Sequence, residues 1–292
     1  MNQILFKGVA TALVTPFSRG EIDFPAFGRI IERQIGAGVA ALVVLGTTGE
    51  PCTLTAAERT KLVSFAKKQI NGRVKLVVGT GSNNTREAVR NSLEAKKLGA
   101  DGLLVVTPYY NKCTQKGLVK YYNAIADAVK MPVLAYNVPG RTGVTVAPAT
   151  AVEIAKNPYI VGLKEAGGNL AQICQLSHAL KGKMALYSGE DEANLVYFAL
   201  GAHGCISVAS NVIPKKIIQL FDVCQVGDFK QALELHNAMY GFCGALFCEV
   251  NPIPVKAVMH HLELCGDDMR APLTVIEDAN RAKVVEAYKN LE

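Results

Sequence analysis

Short runs of apolar and β-branched residues recur along the first three quarters of the chain, and longer stretches with helical spacing separate them. Each run predicts a strand, and each stretch between two runs is long enough for a crossover helix. Thr55 and Glu58 form a capping-box pattern that opens one of these helices, and Pro148 suits the first turn of another. The predicted strands are residues 8–14, 41–45, 75–79, 102–107, 132–137, 160–166, 185–188 and 205–209.

This alternation predicts parallel strands joined by right-handed crossovers. Eight strand–helix units in about 220 residues fit a closed barrel better than an open doubly wound sheet. An open sheet would favour a glycine-rich nucleotide-binding loop after the first strand, and Thr15, Pro16 and Phe17 stand there instead. We therefore predict the α/β class, with a (β/α)8 TIM barrel as the catalytic domain over residues 1–225.

Beyond residue 225 no strand pattern recurs. The spacing predicts helices over 229–247, 255–264 and 274–290, separated by segments rich in proline and glycine. We expect a C-terminal three-helix extension over residues 226–292 that only packs against the barrel or a partner subunit.

Composition narrows the classes of function. Half of the 292 residues are hydrophobic and 19% are charged, which indicates a folded core. The net charge of +6 is scattered, which argues against a nucleic-acid partner and is compatible with a small anionic substrate. The eight cysteines and five histidines show no metal-binding spacing. With no convincing signal peptide and no membrane-spanning run, we expect a soluble, cytoplasmic, metal-free protein.

Lys164 lies inside the sixth predicted strand. Side-chain alternation places it on the same face as two small residues, Gly162 and Ala166. The same alternation places Val161 and Glu165 on the opposite face, where Glu165 would be structural. A lysine among apolar residues usually has a partner or a purpose, although it could also extend from the strand end into solvent.

The active site of a TIM barrel lies at the carboxyl ends of its strands. Hydroxyl groups, one arginine and Lys164 converge there, and the histidines lie elsewhere. This set fits aldol chemistry in which a lysine forms an imine with a ketone and hydroxyl groups move protons. A guanidinium group would bind a carboxylate. The strand-end segments are GTTGE at 46–50, TPYYN at 107–111, YNVPGRTG at 136–143 and SGE at 188–190.

Several of these motifs resemble the dihydrodipicolinate synthases, a family of the pyruvate-dependent class I aldolase superfamily. The resemblance covers essentially the whole chain, in the right order. It rests on GTTGE at 46–50, TPYYN at 107–111, YNVPGRTG at 136–143, GLKEA at 162–166 and NPIPVK at 251–256.

The resemblance implies four catalytic residues. Lys164 would form the Schiff base with pyruvate, so that no separate cofactor is needed. Tyr136 would pass protons in a relay with Thr47. Tyr110 would complete that relay from the neighbouring subunit of a tight dimer, within a dimer-of-dimers homotetramer.

The resemblance also implies the binding residues. Thr48 would hold the pyruvate carboxylate, and the backbone of Gly189 and Ile206 would line the pyruvate pocket. Arg141 would bind the carboxylate of aspartate β-semialdehyde, the second substrate. The product would be 4-hydroxy-tetrahydrodipicolinate, the branch point to diaminopimelate and lysine.

Other interpretations of these residues stay open. Tyr110 could be an ordinary interface aromatic residue, Arg141 could form a surface ion pair, and Thr47 and Thr48 could cap a turn. Ser188 and Glu190 have no assigned role. Sister aldolases that cleave N-acetylneuraminate or keto-deoxy sugar acids use the same lysine but lack an arginine at the position of Arg141. A third alternative is an inactive barrel that senses a keto acid.

A regulatory site is less clear in the sequence. Asn83, Glu87 and Tyr109 match residues that bind lysine in feedback-inhibited members of the family. Ala56 and Arg59 replace the two histidines of that site. Because Arg59 would repel a cationic ligand, we predict weak or absent inhibition by lysine.

Overall fold

The structure, a computed structural model, describes residues 4–291. Eight parallel strands form a closed barrel in the order β1-β10-β9-β8-β7-β6-β5-β4, which confirms the predicted fold class. An antiparallel hairpin of two short strands, which the sequence did not predict, precedes the first helix. The strands are β1 (Gly8–Ala12), β2 (Phe17–Ser18), β3 (Glu21–Ile22), β4 (Ala41–Val44), β5 (Lys75–Gly79), β6 (Gly102–Val106), β7 (Val133–Asn137), β8 (Ile160–Glu165), β9 (Ala185–Ser188) and β10 (Gly204–Ser207).

The helices begin and end at residues that the sequence marks clearly. The predicted capping box is present, with Thr55 accepting from the Glu58 N–H and the Glu58 carboxylate accepting from the Thr55 N–H. Pro148 occupies the first helical turn, as predicted. No helix among residues 4–291 is long and apolar enough to cross a membrane. The helices are α1 (Phe24–Ala37), α2 (Ala56–Ile70), α3 (Thr85–Lys97), α4 (Gln115–Val129), α5 (Pro139–Thr142), α6 (Pro148–Ile154), α7 (Leu170–Leu180), α8 (Asn194–Ala199), α9 (Pro214–Gln225), α10 (Phe229–Ala245), α11 (Ile253–His261) and α12 (Asp278–Lys289).

The pairing of β7 with β8 sets the geometry of the site. Tyr136 stands opposite Lys164. Earlier in the pair the register shifts, so that Val161 is an extra residue on β8. The expectation that Val161 lies on the face opposite Lys164 is therefore wrong, because the bulge places its side chain in the apolar cluster of the barrel interior, which also contains Leu134 and Tyr187.

Apolar side chains fill two regions. A smaller cluster fills the barrel interior, and a larger one lies between the barrel and its surrounding helices. The three predicted C-terminal helices are present as α10, α11 and α12, and their buried residues Met239, Val255 and Val284 belong to the larger cluster. The extension thus shares its core with the barrel. The domain boundary at residues 225 and 226 stays a prediction.

Candidate active site

Lys164 is buried near the carboxyl end of β8, with 5% of its surface exposed. The alternative that it extends into solvent is therefore wrong. Its Nζ lies 4.4 Å from the centroid of the Tyr136 ring on the neighbouring strand. A side chain at Gly189 would approach the Lys164 Cε to 2.8 Å. The glycine therefore makes room for the lysine.

A cavity of about 510 Å³ opens beside this lysine at the carboxyl ends of the strands. It brings together most of the side chains that the sequence singled out, although they come from separate strands and loops. The predicted site residues that line it are Thr47, Thr48, Tyr136, Arg141, Lys164 and Gly189.

Two of the predicted catalytic and substrate-binding residues do not line this cavity in the described chain. Ile206 is fully buried in the barrel interior on β10. Tyr110 is 91% exposed and has a φ of 70°, in the left-handed region that a tyrosine seldom adopts. Their roles toward pyruvate and in the proton relay stay predictions.

Arg141 belongs to the short helix α5, which Pro139 opens directly after β7. Its side chain is exposed at the mouth of the cavity, and Nη2 donates to the backbone oxygen of Asn251 at 3.3 Å. The guanidinium group keeps further N–H donors for a ligand, since it has five in all. These donors can bind the carboxylate of a ligand in the cavity.

The C-terminal extension forms part of the site, so the expectation that it only packs is wrong. Tyr240, Phe247 and Asn251 line the cavity. Asn251 is buried, and its Nδ2 donates to the Thr48 Oγ1 at 3.0 Å. This hydrogen bond orients the threonine that is expected to hold the pyruvate carboxylate.

A buried ion pair strengthens the same connection. Lys256 in α11 lies 2.6 Å from a carboxylate oxygen of Glu50, and both side chains are almost fully buried. Lys256 also donates to the backbone oxygen of Asp268 at 2.9 Å. Burial lowers the pKa of Lys256, and the Glu50 carboxylate opposes that effect. Glu50 lies two residues after Thr48 in the same loop, so this pair anchors the loop that carries Thr47 and Thr48.

Sequence reasoning missed Glu50, Asn251 and Lys256 as contributors to the site. The only signal available was their presence in the family motifs GTTGE and NPIPVK. The partners in these two contacts are separated by 203 and 206 positions along the chain, so no local sequence pattern could pair them.

Two carboxyl groups lie near Lys164: Glu165, which is the next residue in β8, and Glu190, which follows β9. Glu165 is buried outside the barrel, and both its oxygens accept from the Asn137 Nδ2, at 2.8 and 3.0 Å. These hydrogen bonds fit the structural role expected for Glu165. Burial raises its pKa to about 7. Glu190 lines the cavity, and burial raises its pKa while the nearby Lys164 opposes the rise. Ser188 is fully buried, and its hydroxyl donates to the Glu190 backbone oxygen at 3.0 Å.

A second cavity of about 660 Å³ adjoins the first and shares Thr47 and Tyr136 with it. Its wall also contains Asn83, Glu87 and Tyr109, the residues predicted for a regulatory site, together with Arg59. The Arg59 Nη2 donates to the Pro51 oxygen at 2.7 Å, and its buried Nε has no hydrogen-bond partner within residues 4–291. Ala56 is exposed.

A closed parallel barrel with a buried amine, hydroxyl groups and a guanidinium group at one mouth fits the class of Schiff-base-forming aldolases. The chain belongs to the dihydrodipicolinate synthetase family, whose model matches residues 5–291.

Known proteins resemble the chain along nearly its whole length. A 4-hydroxy-tetrahydrodipicolinate synthase from Alkaliphilus oremlandii is 47% identical over 98% of both chains. The crystal structure of the chloride-inhibited dihydrodipicolinate synthase from Acinetobacter baumannii, complexed with pyruvate, is 43% identical over 98% of both chains, with a TM-score of 0.95. A structure described as a monomeric dihydrodipicolinate synthase variant is 39% identical over 98% of this chain and 97% of that one, with a TM-score of 0.97.

Proposed function

We propose that the chain condenses pyruvate with L-aspartate 4-semialdehyde to 4-hydroxy-tetrahydrodipicolinate, the first committed step of diaminopimelate and lysine biosynthesis. The observation that carries this proposal is the buried Lys164 in a cavity that also contains Tyr136, Thr48 and Arg141. The names of the similar proteins support the same reaction.

The first half of the reaction forms an imine. The Lys164 amine adds to the keto carbon of pyruvate, a carbon–nitrogen bond forms, and the carbonyl oxygen leaves as water after protonation. The Tyr136 hydroxyl carries protons to and from this centre, and its ring already contacts the lysine. Thr48, held by Asn251, binds the pyruvate carboxylate. No cofactor is needed, because the protonated imine nitrogen is the electron sink.

The second half forms the carbon–carbon bond. Loss of a proton from the pyruvate methyl group gives an enamine, whose carbon attacks the aldehyde carbon of the second substrate. The aldehyde oxygen takes up a proton and becomes a hydroxyl group. The α-amino nitrogen of the second substrate, after losing a proton, then adds to the imine carbon and closes the ring. The carbon–nitrogen bond to Lys164 breaks, and the cyclic product leaves with the lysine amine free again. Arg141, at the mouth of the cavity, binds the carboxylate of that substrate and directs its aldehyde toward the enamine.

We further propose that Tyr110 enters the proton relay of a second copy of the chain in a tight dimer, within a homotetramer built as a dimer of dimers. Its nearly complete exposure in the single chain supports this assembly, since a tyrosine at an interface is buried by the partner. The cytoplasmic location likewise stays a proposal.

Turnover with alternative acceptors tests the function. With pyruvate as donor, the protein should consume L-aspartate 4-semialdehyde and leave N-acetylmannosamine unchanged, and Lys164→Arg should abolish the reaction. Conversion of N-acetylmannosamine in preference to the semialdehyde would contradict the proposal and assign the chain to the sugar-cleaving aldolases.

A further inference from the structure

The second substrate of the proposed reaction carries three groups that a site has to recognise: an aldehyde, a carboxylate and an α-ammonium group. The aldehyde meets the enamine on Lys164, and Arg141 matches the carboxylate. An ammonium group has three N–H donors and no acceptor. It therefore needs a carboxylate or carbonyl oxygen in the same cavity.

Three acidic residues of the described chain line the cavity, and the carboxylate of one of them already accepts hydrogen bonds within the fold. The Asp191 Oδ2 accepts from the backbone N–H groups of Val208 and Ala209, each at 2.8 Å. Its Oδ1 accepts from the Asn194 Nδ2 at 3.1 Å. Asp191 is buried and holds the turn after β10. It is therefore a structural residue.

Glu192 is the outermost of the three, and its side chain is exposed. A side chain at Gly244, in α10, would approach the Glu192 Oε1 to 3.0 Å. The carboxylate thus lies against the C-terminal extension. A charge in that solvated position contributes a screened field to the cavity.

Glu190 supplies a carboxylate to the cavity wall, which is the kind of acceptor that the ammonium group requires. It directly follows Gly189, which packs against the Lys164 side chain, and it lines the same cavity as that lysine. The Oε2 accepts from the Gly168 N–H at 3.2 Å, which fixes the direction of the side chain. A carboxylate has about four acceptor sites, so one such bond leaves capacity for a ligand. The side chain is half-buried, where a charged hydrogen bond is stronger than in water.

We propose that Glu190 binds the α-ammonium group of the aldehyde substrate and thereby selects an amino aldehyde over the same aldehyde without the amino group. The inference rests on the proposed function. Arg141 and Glu190 then recognise the two charges of one zwitterion from different loops of the barrel mouth. A site with only one of these two side chains would bind a wider range of aldehydes.

Two aldehydes that differ only in the amino group test the inference. The assay measures kcat/KM for L-aspartate 4-semialdehyde and for succinate semialdehyde, as pyruvate consumption at saturating pyruvate. A hydrogen bond to a charged group contributes about 1.5–3 kcal/mol, which corresponds to a preference of about 10–100-fold. Glu190→Gln should remove most of that preference by lowering kcat/KM for the amino aldehyde, and should leave succinate semialdehyde unchanged. Glu190→Asp, which keeps the charge, should retain part of it.

Glu192→Gln separates a direct contact from a general field, because it removes a second acid from the same cavity wall. It should change the preference far less than Glu190→Gln. Equal effects of the two variants, or an equal loss of both aldehydes in Glu190→Gln, would overturn the inference. Loss of pyruvate–imine trapping by borohydride in Glu190→Gln would overturn it too, since the carboxylate would then act on Lys164.

The same measurements distinguish a failure of the proposed function from a failure of this inference. A wild-type protein that converts neither aldehyde contradicts the function, and the inference falls with it. A wild-type protein that converts both aldehydes equally well contradicts the inference alone.

Discussion

Lys256→Met should destabilise the protein more than any other single lysine substitution outside the catalytic position. The change removes the partner of a fully buried carboxylate, Glu50, together with the hydrogen bond to the Asp268 oxygen. Breaking a buried ion pair from one side costs about 3–5 kcal/mol, because the remaining charge stays buried without compensation. At about 2–4 °C per kcal/mol for a domain slightly smaller than this chain, the melting temperature should fall by roughly 10 °C.

Thermal unfolding at one fixed protein concentration measures this effect, since assembly also shifts the transition. Lys215→Met, which removes an exposed lysine, is the matched control and should change little. The double variant Glu50→Gln/Lys256→Met removes both charges and should recover most of the loss. Its pyruvate binding should still be weaker than in the wild type, because the loop of Thr47 and Thr48 has lost its anchor.

Two results would refute this reasoning. One is a fall in melting temperature for Lys256→Met that is as small as the fall for Lys215→Met. The other is a double variant no more stable than Lys256→Met alone. Either would mean that the buried pair does not hold the loop against the C-terminal helices.

Three further predictions concern single groups of the site. The pKa of Glu165 is about 7 in the fold against an ordinary 4.5, so the folded chain holds a proton that the unfolded chain releases in that window. The free energy of unfolding should therefore fall by about 3 kcal/mol as the pH rises between these two pKa values. Urea midpoints measured against pH should show this fall in the wild type and lose it in Glu165→Gln; an unchanged pH dependence in the variant would contradict the raised pKa of Glu165. L-Lysine should inhibit weakly or not at all because Arg59 lines the second cavity, and inhibition at low-millimolar lysine or below in steady-state assays would show otherwise. Arg141→Ala should lower kcat/KM for the semialdehyde by about 10–100-fold and leave pyruvate trapping intact, whereas loss of trapping would place the arginine at the pyruvate subsite.

The barrel and its strand order could be predicted because each strand is a short apolar run, and because parallel strands in this number close in one way. Lys164 could be placed for the same reason, since alternation within a strand is local. The bulge at Val161 could not be predicted. It depends on how two strands pair, and the extra residue looks the same in the sequence as any other apolar residue.

The contribution of the C-terminal extension escaped prediction for a different reason. Asn251 and Lys256 reach a loop about two hundred positions earlier in the chain, and long-range polar contacts leave no periodic pattern. Asn251 belongs to the proline-rich segment that was predicted to separate two helices, and Lys256 to the beginning of the helix predicted over 255–264. The fold turns this segment toward Thr48 and Glu50, which makes the extension a wall of the site.

Borohydride reduction in the presence of pyruvate tests the central claim, the imine at Lys164, most directly. Peptide mass spectrometry of the reduced protein should find the pyruvate adduct on Lys164, and Lys164→Arg should remove it. Lys256, the other buried lysine, is the internal control and should stay unmodified, because Glu50 keeps it paired. Absence of any adduct, or an adduct on Lys256 in place of Lys164, would contradict the account.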